Sequence, residues 1–191
     1  MQHSCEFVEV AKMTLGALDT QKIENIAAAL SQLKGRLFII GVGGSAANAS
    51  HAVNDFRKLC GIEAYAPTDN VAELTARAND EGFDTVFSGW LKVSKINKDD
   101  ALLILSVGGG NERKKISVNL IRAIKLAKAV GAKVYGIVGR ADGYTAKYAD
   151  IVVVVPNMEE KWITPVSEAF QAIVWHCLVS HPLLQKNKTK W

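Results

Sequence analysis

The sequence predicts an α/β fold, a doubly wound, mainly parallel sheet of about five strands flanked by helices. Three observations carry that expectation. Short continuous Val/Ile/Leu runs at Leu37–Ile40, Leu102–Ser106, Val134–Val138 and Ile151–Val155 read as strands buried on both faces, as in a parallel sheet. Segments with helical spacing of apolar residues fill the gaps, which is what right-handed crossovers require. Two of the strands run directly into glycine-rich loops that open helical patterns: Gly41-Val42-Gly43-Gly44-Ser45 and Ser106-Val107-Gly108-Gly109-Gly110-Asn111.

Taken in order, a stripe of Phe7, Val10, Thr14, Leu15 and Leu18 predicts a first helix. Ile23, Ile26, Leu30 and Leu33 predict a second, with Asp19 and Thr20 as N-caps and Gly35 just past its end. After the first strand a helix is expected from Ser45 to about Cys60, followed by a weaker strand at Ala64–Ala66. Asn79-Asp80-Glu81-Gly82 reads as a loop between two helical segments. The second glycine loop leads into a helix from about Ile116 to Val130, with Gly131 as its cap. A short helix at Thr145–Tyr148 precedes the last strand. A final helix is expected from about Pro165 to Ser180, with Pro165 in its first turn and His181-Pro182 ending it. No repeat, linker or low-complexity stretch interrupts the chain, so residues 1–191 read as one domain.

The composition is that of an ordinary soluble protein, with 49% hydrophobic and 22% charged residues. The net charge of +4 is mild, and the basic residues are scattered apart from Arg113-Lys114-Lys115 and a lysine-rich tail. No recognition motif accompanies them, so no nucleic-acid partner is expected. Cys5, Cys60 and Cys177 are widely spaced and form no CxxC, as in reduced cytoplasmic proteins. The N-terminus lacks the basic start and apolar run of a signal peptide, and no apolar stretch approaches the ~20 residues of a membrane span. A cytoplasmic protein with no membrane partner is the expectation.

A strand–glycine loop–helix unit is a phosphate-binding device. The helix N-terminus offers unpaired N–H groups and a partial positive charge, and glycine lets an anion approach closely. The first loop also fits a dinucleotide fingerprint loosely, as Gly41-x-Gly43-x-x-Ala46 with Glu63 downstream. Glu63 ends no convincing strand, however, and a second loop of another pattern follows a different strand, so no nucleotide cofactor is expected. The plainer alternative is that the glycines only make tight turns. In the second loop only Ser106 and Asn111 supply side-chain polarity, so backbone N–H groups would do most of the cradling. Arg113, Lys114 and Lys115 either form a solvated face or bring one cation to a bound phosphate.

His51 and Asp55 lie four apart on the helix leaving the first loop, a spacing that suits a shared cation or an ordinary ion pair. The last helix carries Glu168 and His176, separated by ~12 Å of axial rise on a continuous helix. Both reach one ion only if long side chains converge, the helix starts later, or different subunits contribute. Asn79 and Asp80 suit turn chemistry or hydrogen bonds to sugar hydroxyls.

Together these residues resemble the sugar isomerase (SIS) domain family, and within it the phosphoheptose isomerases. Gly41-Val42-Gly43-Gly44-Ser45-Ala46-Ala47-Asn48-Ala49-Ser50-His51 is similar to that group's GNGGSAADAQH segment. Asn79 to Phe87 is similar to its NDYGFDEVF segment, and Glu168 and His176 stand where the group has a Gln and a His, also eight apart. The resemblance implies a homotetramer with active sites between subunits, with the helical segment 5–34 used in oligomerisation. It implies a phosphorylated seven-carbon sugar as substrate: interconversion of sedoheptulose 7-phosphate and glycero-manno-heptose 7-phosphate through a cis-enediol. By the same likeness His51, Asp55, Glu168 and His176 are expected Zn2+ ligands, and Asp55 and His176 the catalytic acid/base pair. Gly43, Gly44, Asn79, Asp80, Ser106, Gly108 and Asn111 fall on substrate-contacting positions. With Ser45, Gly109, Gly110, Asp55 and Glu168 they make the expected substrate-binding set.

The departures from the group are informative. Asp55 replaces a Glu and is one methylene shorter, Glu168 replaces a Gln, and Val42 replaces an Asn. The group's STSGNS loop becomes Ser106-Val107-Gly108-Gly109-Gly110-Asn111, which removes most of its phosphate-binding hydroxyls. Two rival readings are a non-catalytic phosphosugar-binding or scaffold module of the same family and a nicotinamide-dependent oxidoreductase. Substrate turnover separates the first from an isomerase, and titration with NAD(H) separates the second.

Overall fold

A computed structural model describes residues 2–157 and 159–190, so the two end residues of the 1–191 span lie outside it. Five strands, β1 (Leu37–Ile40), β2 (Ala64–Tyr65), β3 (Ala101–Ser106), β4 (Lys133–Val138) and β5 (Ile151–Val154), form one sheet of order β2-β1-β3-β4-β5. Every neighbouring pair is parallel, in a register that sets Leu37 beside Ala101 and Ser106 beside Val138. Eight helices connect and flank the strands among the described residues: α1 (His3–Gly16), α2 (Thr20–Ser31), α3 (Gly44–Cys60), α4 (Val71–Asp80), α5 (Val86–Val93), α6 (Val118–Ala129), α7 (Tyr144–Tyr148) and α8 (Ile163–Val179).

The pleat sends alternate side chains to opposite faces, and both faces are covered. Leu37, Ile39, Leu103, Leu105 and Ile137 pack against α2, α3 and α8 through residues such as Ile26, Phe56 and Trp175. Phe38, Ile40, Leu102, Ile104 and Val134 pack against α5 and α6 through Phe87, Leu91, Leu120 and Ile124. Double coverage is the physical reason the strands read as unbroken apolar runs. Each fully buried large side chain contributes about 1.5–3 kcal/mol of transfer free energy.

From β1 the chain crosses to β2 on one side and then to β3 on the other. A crevice therefore opens at the carboxyl ends of β1 and β3, the place where ligands bind in such sheets. Both glycine loops emerge there. At the opposite end, Arg36 and Asp100 staple the starts of β1 and β3. Asp100 accepts from the Arg36 guanidinium at 2.9 Å and from the backbone N–H groups of Arg36 and Asn97 at 2.8 and 2.9 Å.

Most boundaries fall within about a residue of the sequence expectation, and the larger departures have local reasons. Helix α6 starts at Val118 rather than Ile116. The Asn111 carboxamide accepts the Lys114 N–H at 2.9 Å, and Asn111 and Ile116 pair antiparallel, so residues 111–116 form a small hairpin. Helix α8 starts at Ile163, which leaves Pro165 in the first turn where a missing N–H costs nothing. Its continuity through Glu168 and His176 removes the possibility of a later start. Helix α4 runs through Asp80, so Asn79 and Asp80 end a helix instead of lying in a loop. Strand β2 is only two residues long and sits at the sheet edge.

Candidate functional site

The first loop makes its turn because glycine is needed at two positions. A side chain at Gly41 would collide with the Ser45 carbonyl, and Gly43 holds φ +63°, in the left-handed region. The chain then turns sharply from β1 into α3, with Gly43 as its N-cap.

Helix α3 lies parallel to α8, and a buried polar zip fixes their register. The Asn48 amide donates to the Glu168 carbonyl at 2.9 Å and to Gln171 Oε1 at 3.0 Å, while Gln171 Nε2 donates to Ser45 Oγ at 3.0 Å. Gln171 and Ser45 are buried, so this network is shielded from water and correspondingly directional. Ser45, expected to touch substrate, has its hydroxyl engaged in this zip.

The same register brings His51, Asp55 and His176 together further along the two helices. Asp55 Oδ2 lies 3.8 Å from His51 Nε2 and 3.9 Å from His176 Nε2. One ligand atom from each of the three residues lies within 4.8 Å of the other two. His176 Nδ1 is 2.8 Å from the Ala172 carbonyl, which only accepts, so Nδ1 carries the proton. In this tautomer Nε2 is the nitrogen that faces the Asp55 carboxylate. Two acceptors facing one another across 3.9 Å are complementary to a positive charge between them, either a proton or a metal ion. Two imidazoles and a carboxylate suit Zn2+ by ligand type, and a hydrogen bond from a ligand's second nitrogen to a carbonyl is the usual way such a ring is oriented. The carboxylate is the more enclosed member, at 16% side-chain exposure, while both imidazoles stand more than half exposed on the rim.

Trp175 braces both rings from below. It is fully buried, stacks on His176 with ring centroids 3.5 Å apart, and meets His51 edge-on at 4.6 Å. In the sequence it reads as one more apolar residue of the last helix. Asn48 and Gln171 went unread as well; the available signal was an amide within each of two otherwise apolar helix faces.

Glu168 stands apart from the cluster. A methyl group on Gly44 would lie 2.5 Å from Glu168 Oε2, so the carboxylate rests against the first turn of α3. It lies two helical turns before His176 on the same continuous helix, and within one chain those turns separate it from the three convergent ligands.

In the second loop Gly109 and Gly110 hold φ +67° and +85°. Ser106 Oγ accepts the Gly109 N–H at 2.9 Å, and the Asn111 N–H is engaged by the Ile116 carbonyl at 2.9 Å. The Gly109 and Gly110 carbonyls accept from Thr145 and Tyr144 at 2.8–2.9 Å, which ties the loop to α7. Two of the N–H groups expected to cradle an anion, those of Gly109 and Asn111, are thus occupied internally, while Gly108, Gly110 and the start of α6 keep open donors among the described residues. Asn79 and Asp80 are exposed, and the Asn79 amide donates to Asp80 at 2.8 Å.

Comparison with known proteins identifies the family. The SIS domain profile matches residues 6–139. The phosphoheptose isomerase of Rhodospirillum rubrum is 31% identical over 149 residues, covering 75% of this chain and 73% of that protein. The lincomycin biosynthesis protein LmbN of Streptomyces lincolnensis is 33% identical over 152 residues, covering 74% of this chain, and the chain spans only 54% of that longer relative. The solved structure of phosphoheptose isomerase GmhA from Neisseria gonorrhoeae superposes with a TM-score of 0.78 at 26% identity, covering 93% of this chain and 92% of the other. The chain belongs to the SIS domain family and, within it, to the phosphoheptose isomerase group.

Proposed function

We propose that this chain is an aldose–ketose isomerase that interconverts sedoheptulose 7-phosphate and D-glycero-D-manno-heptose 7-phosphate. The observation that carries the reading is the convergence of His51 Nε2, Asp55 Oδ2 and His176 Nε2 between α3 and α8 of an SIS fold, about two to three helical turns along α3 from the first glycine loop. A binding module has no use for two bases and a carboxylate aimed at one point.

Asp55 is the base in this reading. Its carboxylate takes the proton from the carbon next to the substrate carbonyl, giving a cis-enediol. His176 is the acid: with Nδ1 held by the Ala172 carbonyl, Nε2 is the nitrogen free to take a proton from solvent and deliver it to the neighbouring carbon, while the proton Asp55 took returns to solvent and the hydroxyl proton passes to the former carbonyl oxygen. The first-turn backbone of α3 and the second loop hold the phosphate end, so that binding energy remote from the chemistry orients the reacting carbons. His51, Asp55 and His176 are also the residues that would hold Zn2+. The ion would supply polarisation of the carbonyl and hydroxyl oxygens. Glu168, across from Gly44, is assigned to substrate hydroxyls, with Asn79 and Asp80 completing that contact from a neighbouring subunit of a homotetramer. The open rim around both imidazoles supports such a subunit boundary, as do the exposed Val8, Met13 and Leu15 of α1. Among the described residues no helix is long and apolar enough to cross a membrane, and the reading places the enzyme in the cytoplasm.

The test is incubation of the purified protein with sedoheptulose 7-phosphate, followed by NMR of the products. An aldose signal is expected from the wild type. Asp55→Asn, which keeps the shape and removes the base, should lower the rate by at least ~100-fold. The absence of an aldose signal with and without added zinc, or an unchanged rate in Asp55→Asn, would overturn the proposal.

A further inference from the structure

Both imidazoles of the cluster stand on its rim, yet only one of them is tied down by a hydrogen bond. His176 Nδ1 lies 2.8 Å from the Ala172 carbonyl. His51 has no such tether. Its side chain is 58% exposed, its approach to Asp55 Oδ2 is 3.8 Å, and neither ring nitrogen makes a hydrogen bond among the described residues. An exposed side chain without a tether moves between staggered rotamers, and the freedom it loses on being ordered opposes any binding it takes part in.

Contact with other rings is what holds His51 with Nε2 toward Asp55. Its ring centroid lies 4.6 Å from that of Trp175 at an interplanar angle of 65°, and 5.4 Å from that of His176 at 88°. His176 in turn stacks on Trp175, with centroids 3.5 Å apart at 28°. Edge-on and stacked arrangements are the attractive ones for aromatic pairs. Trp175 is the ring common to both outer contacts, and it is fully buried in the core that α8 shares with α3. A close-packed core leaves a buried ring little room to move, so its orientation passes to whatever rests on it.

The residue type supports the same role. Trp175 Nε1 is buried without a hydrogen-bond partner among the described residues, a cost that phenylalanine or leucine in the same core would not carry. What the indole brings in exchange is two fused rings, long enough to serve two imidazoles at once. We infer that Trp175 is a positioning residue for the site. It acts through His51, and to a smaller degree through the already tethered His176, by fixing the direction in which each Nε2 points at Asp55. Buried as it is, it touches neither ion nor substrate. Its effect on turnover rests on the isomerase reading, whereas its effect on an ion held by the cluster does not.

The experiment is a double-mutant cycle between Trp175 and His51. It is read as Zn2+ affinity by chelator competition and, with sedoheptulose 7-phosphate, as kcat and KM. Trp175→Leu should lower Zn2+ affinity by about tenfold or more, the scale for groups that orient metal ligands. Trp175→Phe keeps one aromatic ring and should lower it by about fivefold. The kcat should fall in the same order while KM stays within about twofold, because the interactions that bind the substrate are untouched. In a His51→Ala background each Trp175 substitution should change Zn2+ affinity and kcat by no more than about twofold, since the group it acts through is gone. A residue that only fills the core predicts equal losses in both backgrounds. Should Trp175→Leu fail to fold by thermal melt, the Trp175→Phe cycle decides, and where turnover needs no Zn2+ the cycle in kcat decides. Wild-type Zn2+ affinity and kcat in Trp175→Phe, equal losses in the two backgrounds, or a wild type that neither binds Zn2+ nor turns over, overturns the role. A coupled loss of Zn2+ affinity without turnover by any of the proteins supports the role and removes the isomerase reading instead.

Discussion

Asp55 is the residue on which the site turns, because its Oδ2 faces the Nε2 atoms of both His51 and His176, at 3.8 and 3.9 Å. Its pairing with His51 was legible from the spacing of four on one helix. His176 was legible only by likeness to a family, since nothing in the spacing of Glu168 and His176 says which of them meets α3. The register of α3 on α8 decides it, and that register rests on Asn48, Ser45 and Gln171, three polar residues without chemistry of their own. Three ligands rather than four is a claim about single residues and is tested as such. His51→Ala, which removes one ligand atom, should lower Zn2+ affinity by roughly a hundredfold or more. Glu168→Gln should leave Zn2+ affinity within about threefold while raising the KM for sugar phosphate. Equal losses in both variants, measured by competition with a chromogenic chelator, would restore Glu168 to the metal.

At the scale of elements, the strand–loop–helix units were readable because their residue types are dictated locally. Continuous apolar runs form strands covered on both faces, and Gly41 and Gly43 turn the first of them into a helix. The hairpin at 111–116 was not readable. Helical spacing continued through Ile116, and the Asn111 side-chain turn that breaks it is set by one amide competing with the helix for backbone N–H groups. The staple between β1 and β3 is an element-scale device with a pH signature. Burial alone would raise the Asp100 pKa, but the Arg36 guanidinium and the backbone N–H groups of Arg36 and Asn97 outweigh it and hold the carboxyl below its ordinary value. A lowered folded-state pKa contributes stability that is present above the unfolded value near 3.9 and is lost as pH falls through the lowered folded value. Asp100→Asn should therefore cost about 2–3 kcal/mol at neutral pH and lower Tm by roughly 5–10 °C. It should also flatten the acid limb of the stability curve below about pH 4. Thermal melts from pH 3 to 7 check this, and superimposable curves for the two proteins would contradict it.

For the whole molecule, the strand order β2-β1-β3-β4-β5 explains why residues far apart in the chain act together. The order reverses beside β1, so the loops after β1 and β3 share one crevice, with α3 leaving from one and α6 from the other. His176 comes from the last helix, which packs on the same face of the sheet as α3. Parallel α/β architecture was evident from the run of alternating elements. Which end of the sheet works, and which subunit surface completes it, depend on three-dimensional placement that no local pattern encodes. In the proposed tetramer, the exposed imidazole rim and the exposed apolar residues of α1 are the surfaces assigned to that completion.

The central claim is that Asp55 removes a proton from one sugar carbon and His176 delivers one, exchanged with solvent, to the next, and isomerisation in deuterated water tests it most directly. With sedoheptulose 7-phosphate as substrate, proton transfer through an enediol predicts solvent deuterium at C2 of the aldose formed, and at C1 of the ketose recovered after equilibration. Both signals should be lost in Asp55→Asn. An aldose product that carries no deuterium, or labelling that persists unchanged in Asp55→Asn, would contradict the account.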